Sequence, residues 1–356
     1  MKKKTLILYI IIAFLLGMLI MFFIKDNITK QDIEKNVKKI TTTTLEEQSD
    51  LKKGINNIYD STVYIEVYSN RGAIGSGSGF IYKAGYILTN YHVIEDGTSY
   101  KVILSDNTEI EATYLNGDEY YDIAVLKIDP KYKNVANLGD SSSIELGDTV
   151  FTVGAPLGKE YKGTITKGIV SGVNRMVAVE LSSGDYLMEV IQTDASINSG
   201  NSGGPICNVN GDVIGITSSK LMGSGVEGMG FAIPINSVKE ILGSIEKGEK
   251  IERPYLGVQL ADLNNTFALQ YYYNIKIGKD VTFGAVLSYV EEGKSAAKAG
   301  LKTGDVIVSM DGVKIEDTSY FRYQLYKHKI GDKVKIKYYR NNKLLETTVE
   351  LNEAIK

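Results

Sequence analysis

The chain has 356 residues, with 40 Lys and Arg against 43 Asp and Glu, a net charge of −3, one Cys, two His and no Trp. That length holds roughly two domains of about 150 residues, each able to bury its own core. A single cysteine excludes a disulfide framework and cysteine-based zinc or iron–sulfur centres, two histidines leave little room for a histidine-rich metal site, and the balanced charge argues against nucleic-acid binding.

The N-terminus departs from this soluble composition. Thr5 to Ile24 carries no charge, and a helix of that length spans the roughly 30 Å hydrocarbon core of a bilayer. Lys2, Lys3 and Lys4 precede it, so the positive-inside bias keeps this end cytoplasmic and exports the rest. A cleaved signal peptide has a shorter apolar region and a small-residue cleavage site, whereas Lys25-Asp26-Asn27 follows here. Residues 1–4 are therefore read as a cytoplasmic tail and 5–24 as a transmembrane helix retained in the plasma membrane. Residues 25–54, with mixed charge and a Thr41 to Thr44 run, are read as a tether. The lone Cys207 lies in an apolar stretch and reads as a small buried hydrophobe.

From 55 to 248 the pattern is short β-type runs punctuated by Gly, Asn and Asp. Val63 to Val67, Gly79 to Tyr82, Tyr86 to Thr89, Lys101 to Leu104, Ile110 to Tyr114, Ile123 to Ile128, Val150 to Val153, Ile165 to Val173, Leu187 to Gln192 and Val213 to Thr217 are the expected strands. Strands without intervening helical patterns indicate antiparallel barrels or sandwiches. A helix follows, with Asn236 or Ser237 as N-cap, an apolar face of Val238, Ile241, Leu242 and Ile245, and an end near Gly248. Glu249 to Pro254 reads as a domain boundary.

The chemistry sits in this β-rich half. Gly200-Asn201-Ser202-Gly203-Gly204-Pro205 places a serine where glycines permit a tight turn and let backbone N–H groups converge, as an oxyanion hole requires. A serine nucleophile needs a base, and the base needs an orienting carboxylate. His92 ends one strand and Asp122 opens another, giving the order His, Asp, Ser of chymotrypsin-like double barrels. The same hexapeptide also matches the G-x-S-x-G elbow of α/β-hydrolases. That reading needs the order Ser, acid, His, and the histidine after Ser202 is His328, beyond the domain boundary. His92-Val93-Ile94-Glu95 offers one histidine where metal-dependent hydrolysis on a helix needs two.

Together these motifs resemble the HtrA (Deg) family of serine proteases. The residues that carry the resemblance are Thr89-Asn90-Tyr91-His92-Val93-Ile94, Asp122 to Ile128, Gly168-Ile169-Val170-Ser171, Gln192 to Pro205 and Gly230-Phe231-Ala232-Ile233-Pro234. The resemblance implies a mainly β chain: a chymotrypsin-like domain of two six-stranded antiparallel β-barrels over 55–248, a PDZ domain over 254–353, and the N-terminal transmembrane helix. It implies Ser202 as nucleophile, His92 as general base and Asp122 as its orienting partner, with the N–H groups of Gly200 and Ser202 forming the oxyanion hole. Ile197, Thr217, Ser218 and Leu221 would line a shallow apolar substrate pocket, within a specificity loop from Thr217 to Glu227. Arg175 would sit on a loop that relays activation. No metal or other cofactor is implied.

In the last hundred residues, Tyr255-Leu256-Gly257-Val258 resembles the carboxylate-binding loop of a permuted PDZ domain. A helix from about Thr318 to Lys329, carrying Phe321 and Leu325, would be the opposite wall of a groove for C-terminal peptides. Ala296 stands where the family often has Pro, and His328 reads as a surface cation at a helix end. The short Ser69 to Ser76 connection and the single PDZ domain depart from cage-forming relatives and imply a membrane-bound homotrimer that cuts unfolded or exported polypeptides. The alternative is a peptide-binding chaperone or stress sensor with minor proteolysis, and the intact triad argues against that as the sole role.

Overall fold

The computed structural model of the chain describes Tyr9, Lys35, Lys38 and residues 11–23, 50–179, 186–221, 228–278 and 281–355. Residues 11–23 are helical, with large apolar side chains exposed along them, and among the described residues no helix is long and apolar enough to cross a membrane. The expected tail 1–4, the two ends of the 5–24 segment and most of the 25–54 tether lie outside the described residues.

The boundary between tether and domain shifts. Residues 50–59 form helix α1, whose Leu51, Ile55, Ile58 and Tyr59 pack on the core that follows, so the folded domain begins earlier than position 55. Gly54 is there because a Cβ would fall 2.2 Å from the Val209 carbonyl oxygen.

The next six strands close on themselves: β1 (Thr62–Ser69), β2 (Gly72–Lys83), β3 (Tyr86–Thr89), β4 (Ser99–Ile103), β5 (Glu109–Asp118) and β6 (Ile123–Lys127), in the order β1-β2-β3-β6-β5-β4. Helix α2 (Tyr91–Ile94) interrupts them after β3. A second closed barrel comprises β7 (Thr149–Gly154), β8 (Thr164–Val179), β9 (Tyr186–Thr193), β10 (Pro205–Asn208), β11 (Val213–Thr217) and β12 (Gly230–Pro234), in the order β10-β11-β12-β9-β8-β7. β1 and β2 are joined by a tight turn at Asn70 and Arg71.

Apolar runs such as Ile123-Ala124-Val125-Leu126 are continuous because strands of both barrels bury both faces. Along β6, Ile123 and Val125 enter the cluster shared between the barrels, while Ala124 and Leu126 fill the first barrel. Along β11, Val213 and Ile216 join the shared cluster, and Ile214 the second barrel. Helix α3 (Ile235–Glu246) closes the shared cluster with Ile235, Val238, Ile241 and Ile245. It starts before the expected cap: Pro234 occupies the N-cap, its fixed φ of −60° suiting a helix start.

The C-terminal domain has a sheet ordered β14 (Val258–Asp262), β15 (Ala285–Val290), β16 (Val306–Met310), β18 (Lys333–Arg340) and β19 (Lys343–Glu350), with β17 (Val313–Lys314) paired to β16. β13 (Pro254–Tyr255) pairs with β20 (Glu353–Ala354). Its helices are α4 (Thr266–Tyr271), α5 (Ser295–Lys298) and α6 (Thr318–Leu325), the last shorter than expected because it is C-capped at Tyr326.

The two domains share a buried contact. Arg253 makes a bidentate pair with Asp118 at 2.6 and 2.7 Å, beside the Tyr120 ring. Tyr326 of the second domain stacks on Tyr186 and meets Tyr120 edge-on, and the Tyr323 hydroxyl donates to Glu189 Oε2 at 2.5 Å.

Candidate active site

His92 and Asp122 are brought together by two neighbouring strands, β3 and β6. α2 is too short for helical propensity to explain, and its support is Asn90, fully buried, whose amide donates to the Asp122 carbonyl at 2.9 Å. Asp122 itself is in the left-handed region, φ 52°, after a turn closed by its N–H on the Glu119 carbonyl. That conformation aims the carboxylate at His92: Oδ2 lies 2.7 Å from Nδ1, and Oδ1 accepts the His92 backbone N–H at 2.9 Å. A ring nitrogen this close to a carboxylate must donate, which leaves the lone pair on Nε2. Ser218 adds a hydroxyl donor to Asp122 Oδ2 at 3.2 Å.

Ser202 sits in the turn between β9 and β10 and is 3% exposed. Gly200 and Gly203 have φ of 98° and 85°, a conformation that side chains with a Cβ rarely take. The turn is bolted to both barrels. Ser78 of β2 accepts from Ala155 N–H and donates to the Gly200 carbonyl at 2.6 Å, and its own N–H donates to the Ser202 carbonyl at 2.8 Å. Thr217 donates its hydroxyl to the Asn201 carbonyl at 2.6 Å. Among the described residues the N–H groups of Gly200 and Ser202 have no acceptor, which leaves both available to a developing oxyanion. The Ser202 hydroxyl meets Ser219, whose N–H donates to it at 2.9 Å and whose hydroxyl lies 2.6 Å away.

The other expected site residues fall as follows. Ile197 is buried against Gly230, where a Cβ would come 2.6 Å from its Cγ1, so glycine makes room for the isoleucine. Thr217 and Ser218 are buried and spent on hydrogen bonds to the nucleophile turn and to Asp122. Leu221 is buried in the cluster between the barrels rather than open to a groove, and 222–227 of the expected specificity loop lie outside the described residues. Arg175 corrects its expected setting: it lies within β8, opposite Val190 and past an irregularity at Asn174, because the strand continues to Val179 instead of ending at Val173. It is exposed.

In the second domain Tyr255, Leu256, Gly257 and Val258 connect β13 to β14. Their backbone is held by Ala296 N–H on the Leu256 carbonyl and Glu291 N–H on the Gly257 carbonyl. Gly257 has φ 78° and passes so near Lys294 that a Cβ would clash. Phe321 and Leu325 face the domain core together with Leu256, instead of lining a groove. His328 is not alone: Asp311 and Asp332 carboxylates lie 3.6 and 3.8 Å from its ring. Sequence reasoning did not single out Ser78 or Ser219. Ser78 carried no signal within its glycine-rich run, whereas Ser219 directly follows Thr217 and Ser218, the expected pocket residues at the end of β11.

Two closed antiparallel barrels with a His–Asp pair and a serine in a glycine turn between them define a trypsin-like serine endopeptidase. Residues 77–216 match the trypsin-like peptidase domain and residues 254–351 match the PDZ domain. The chain is 45% identical over 291 residues to the serine protease Do-like HtrA of Bacillus subtilis, covering 78% of this chain and 64% of that protein. It is 41% identical over 289 residues to the protein of that name from Lactococcus lactis subsp. cremoris, covering 78% and 71%. The serine endoprotease of Yersinia pestis superposes with a TM-score of 0.66 at 26% identity, covering 86% of this chain and 98% of that one. The HtrA-type protease AlgW, solved with a decapeptide, gives 0.66 at 30% identity, with 84% and 97% covered. The chain belongs to the HtrA family of serine proteases.

Proposed function

We propose that this protease cuts unfolded or exported polypeptides on the outer face of the plasma membrane, held there by its N-terminal apolar segment. The observation that carries the catalytic part is the Asp122–His92 pair at 2.7 Å beside a buried Ser202 in a glycine turn. Ser202 Oγ attacks the scissile carbonyl while His92 Nε2 takes its proton and later returns it to the leaving amine, and Asp122 holds the ring and balances the imidazolium. The oxyanion is received by the Gly200 and Ser202 N–H groups, each worth about 3 kcal/mol when preorganised.

The Tyr255 to Val258 loop and the PDZ match support capture of substrate or activator C-termini by the second domain. Assembly as a homotrimer and service in extracytoplasmic quality control belong to the same reading and rest on the resemblance to the HtrA family. Ser202→Ala should lower casein cleavage by several orders of magnitude, as triad loss does in serine proteases. Cleavage at the wild-type rate refutes the assignment.

A further inference from the structure

The nucleophile's hydrogen bonds do not run to its base. Among the described residues, Ser202 Oγ is bonded to Ser219 N–H at 2.9 Å and Ser219 Oγ at 2.6 Å, and no hydrogen bond joins it to His92, whose ring is bonded to Asp122. Ser219 is well placed for this. Thr217 N–H and carbonyl pair with Gly204 and Gly203, which fastens the segment to the nucleophile turn two residues earlier, and Ser218 N–H pairs with the Phe231 carbonyl of β12. Ser219 then opens a short 3-10 turn over Ser219–Leu221, whose first N–H groups have no partner within the turn. Ser202 Oγ supplies that partner.

We propose that Ser219 is a positioning residue that latches the Ser202 hydroxyl out of line with His92, and that a substrate backbone carbonyl arriving at Ser219 N–H takes over this donor and releases the hydroxyl to its base. The proposal rests on the endopeptidase reading and deepens it. Extended polypeptides, which carry the carbonyl that opens the latch, are attacked readily; small acylating or phosphonylating agents, which lack it, meet a latched serine. In the latched state the Oγ accepts the Ser219 N–H and hydrogen-bonds the Ser219 hydroxyl, where either oxygen can donate; Ser202 keeps its own proton, but no hydrogen bond directs it at His92. Rotation of the Ser202 side chain exchanges these bonds for one to Nε2.

The test uses the full-length protein in detergent and the rate of labelling by diisopropyl fluorophosphate. In that reaction the Ser202 Oγ–P bond forms, the P–F bond breaks, fluoride leaves and the hydroxyl proton goes to His92. Ser219→Ala and, independently, Ser219→Gly should label about fivefold faster than wild type, the factor that loss of one ordinary hydrogen bond produces. Ser219→Thr, which keeps the hydroxyl, should label at the wild-type rate. A residue that merely props the turn would give slower labelling on removal. Equal or slower labelling of Ser219→Ala and Ser219→Gly overturns the latch, as does threonine behaving like alanine. Labelling of wild type no faster than of Ser202→Ala would instead overturn the endopeptidase reading.

Discussion

Cys207 and His92 show how burial assigns opposite roles to reactive side chains within one fold. The Cys207 thiol is fully buried in the cluster between the barrels, and that burial, reinforced by the charge of Asp212, holds its pKa well above the ordinary thiol value. Only a thiolate attacks an electrophile, so maleimide should modify native protein at pH 8 at least about a hundredfold more slowly than protein unfolded in guanidinium. Comparable rates, read by mass spectrometry, would contradict the burial. His92 keeps a partly open edge because Asp122 occupies its other nitrogen. Two features were readable in the sequence: the burial of Cys207 from its apolar neighbours, and the pairing of His92 with Asp122 from residue type and chain order. Ser78 and Ser219 were not singled out, since a serine's significance here depends on which backbone atoms happen to lie within about 3 Å of it.

The element that decides activity is the turn from Asn198 to Gly204, and glycine is what allows it to close. A Cβ on Gly203 would fall 2.2 Å from the Ser78 carbonyl oxygen and 2.3 Å from Thr89 Oγ1, at a φ of 85°. Gly203→Ala should therefore push Ser202 off the β2 strand and lower kcat/KM on a peptide substrate by about a hundredfold, the scale of a 1 Å misplacement. Gly72→Ala is the control: its φ is also positive, 114°, but open space surrounds it, so kcat/KM should stay within about twofold. Ten expected strands coincide with strands of the barrels, because short β-branched runs bounded by Gly, Asn and Asp read as strands even where both faces are buried. β10 and β12 were not among them. Each is short, and each owes its strand conformation to pairing with neighbours, Pro205 to Ile216 and Gly230 to Thr193. β8 ran on through Arg175 for the same reason, its second half being held by β9.

At the scale of the molecule, the two domains are joined by the buried pair of Arg253 and Asp118. Burial alone would lower the Arg253 pKa, but the hydrogen bonds and charge of Asp118 outweigh it and raise the value, so the guanidinium stays charged in its niche. Asp118 also accepts the Tyr121 N–H at 2.8 Å, which places the pair at the base of the turn that carries Asp122. Arg253→Met leaves a buried carboxylate without its counter-charge and should cost about 3 to 5 kcal/mol, read as a lower urea midpoint. Combining it with Asp118→Asn should cost less than the sum of the two, because the residues share one interaction. No effect of Arg253→Met on the midpoint would mean that the domains do not depend on this contact. Strand periodicity by itself left barrels and sandwiches open, and the motifs around His92, Asp122 and Ser202 carried the resemblance to the HtrA family that narrowed this to a double barrel, since motifs depend on local pattern and residue identity. Only the tertiary structure decided how α6 seats against the protease domain, that Leu221 is core, and that Ser219 holds the nucleophile. Those outcomes depend on contacts between segments tens to hundreds of residues apart, and no local pattern encodes them.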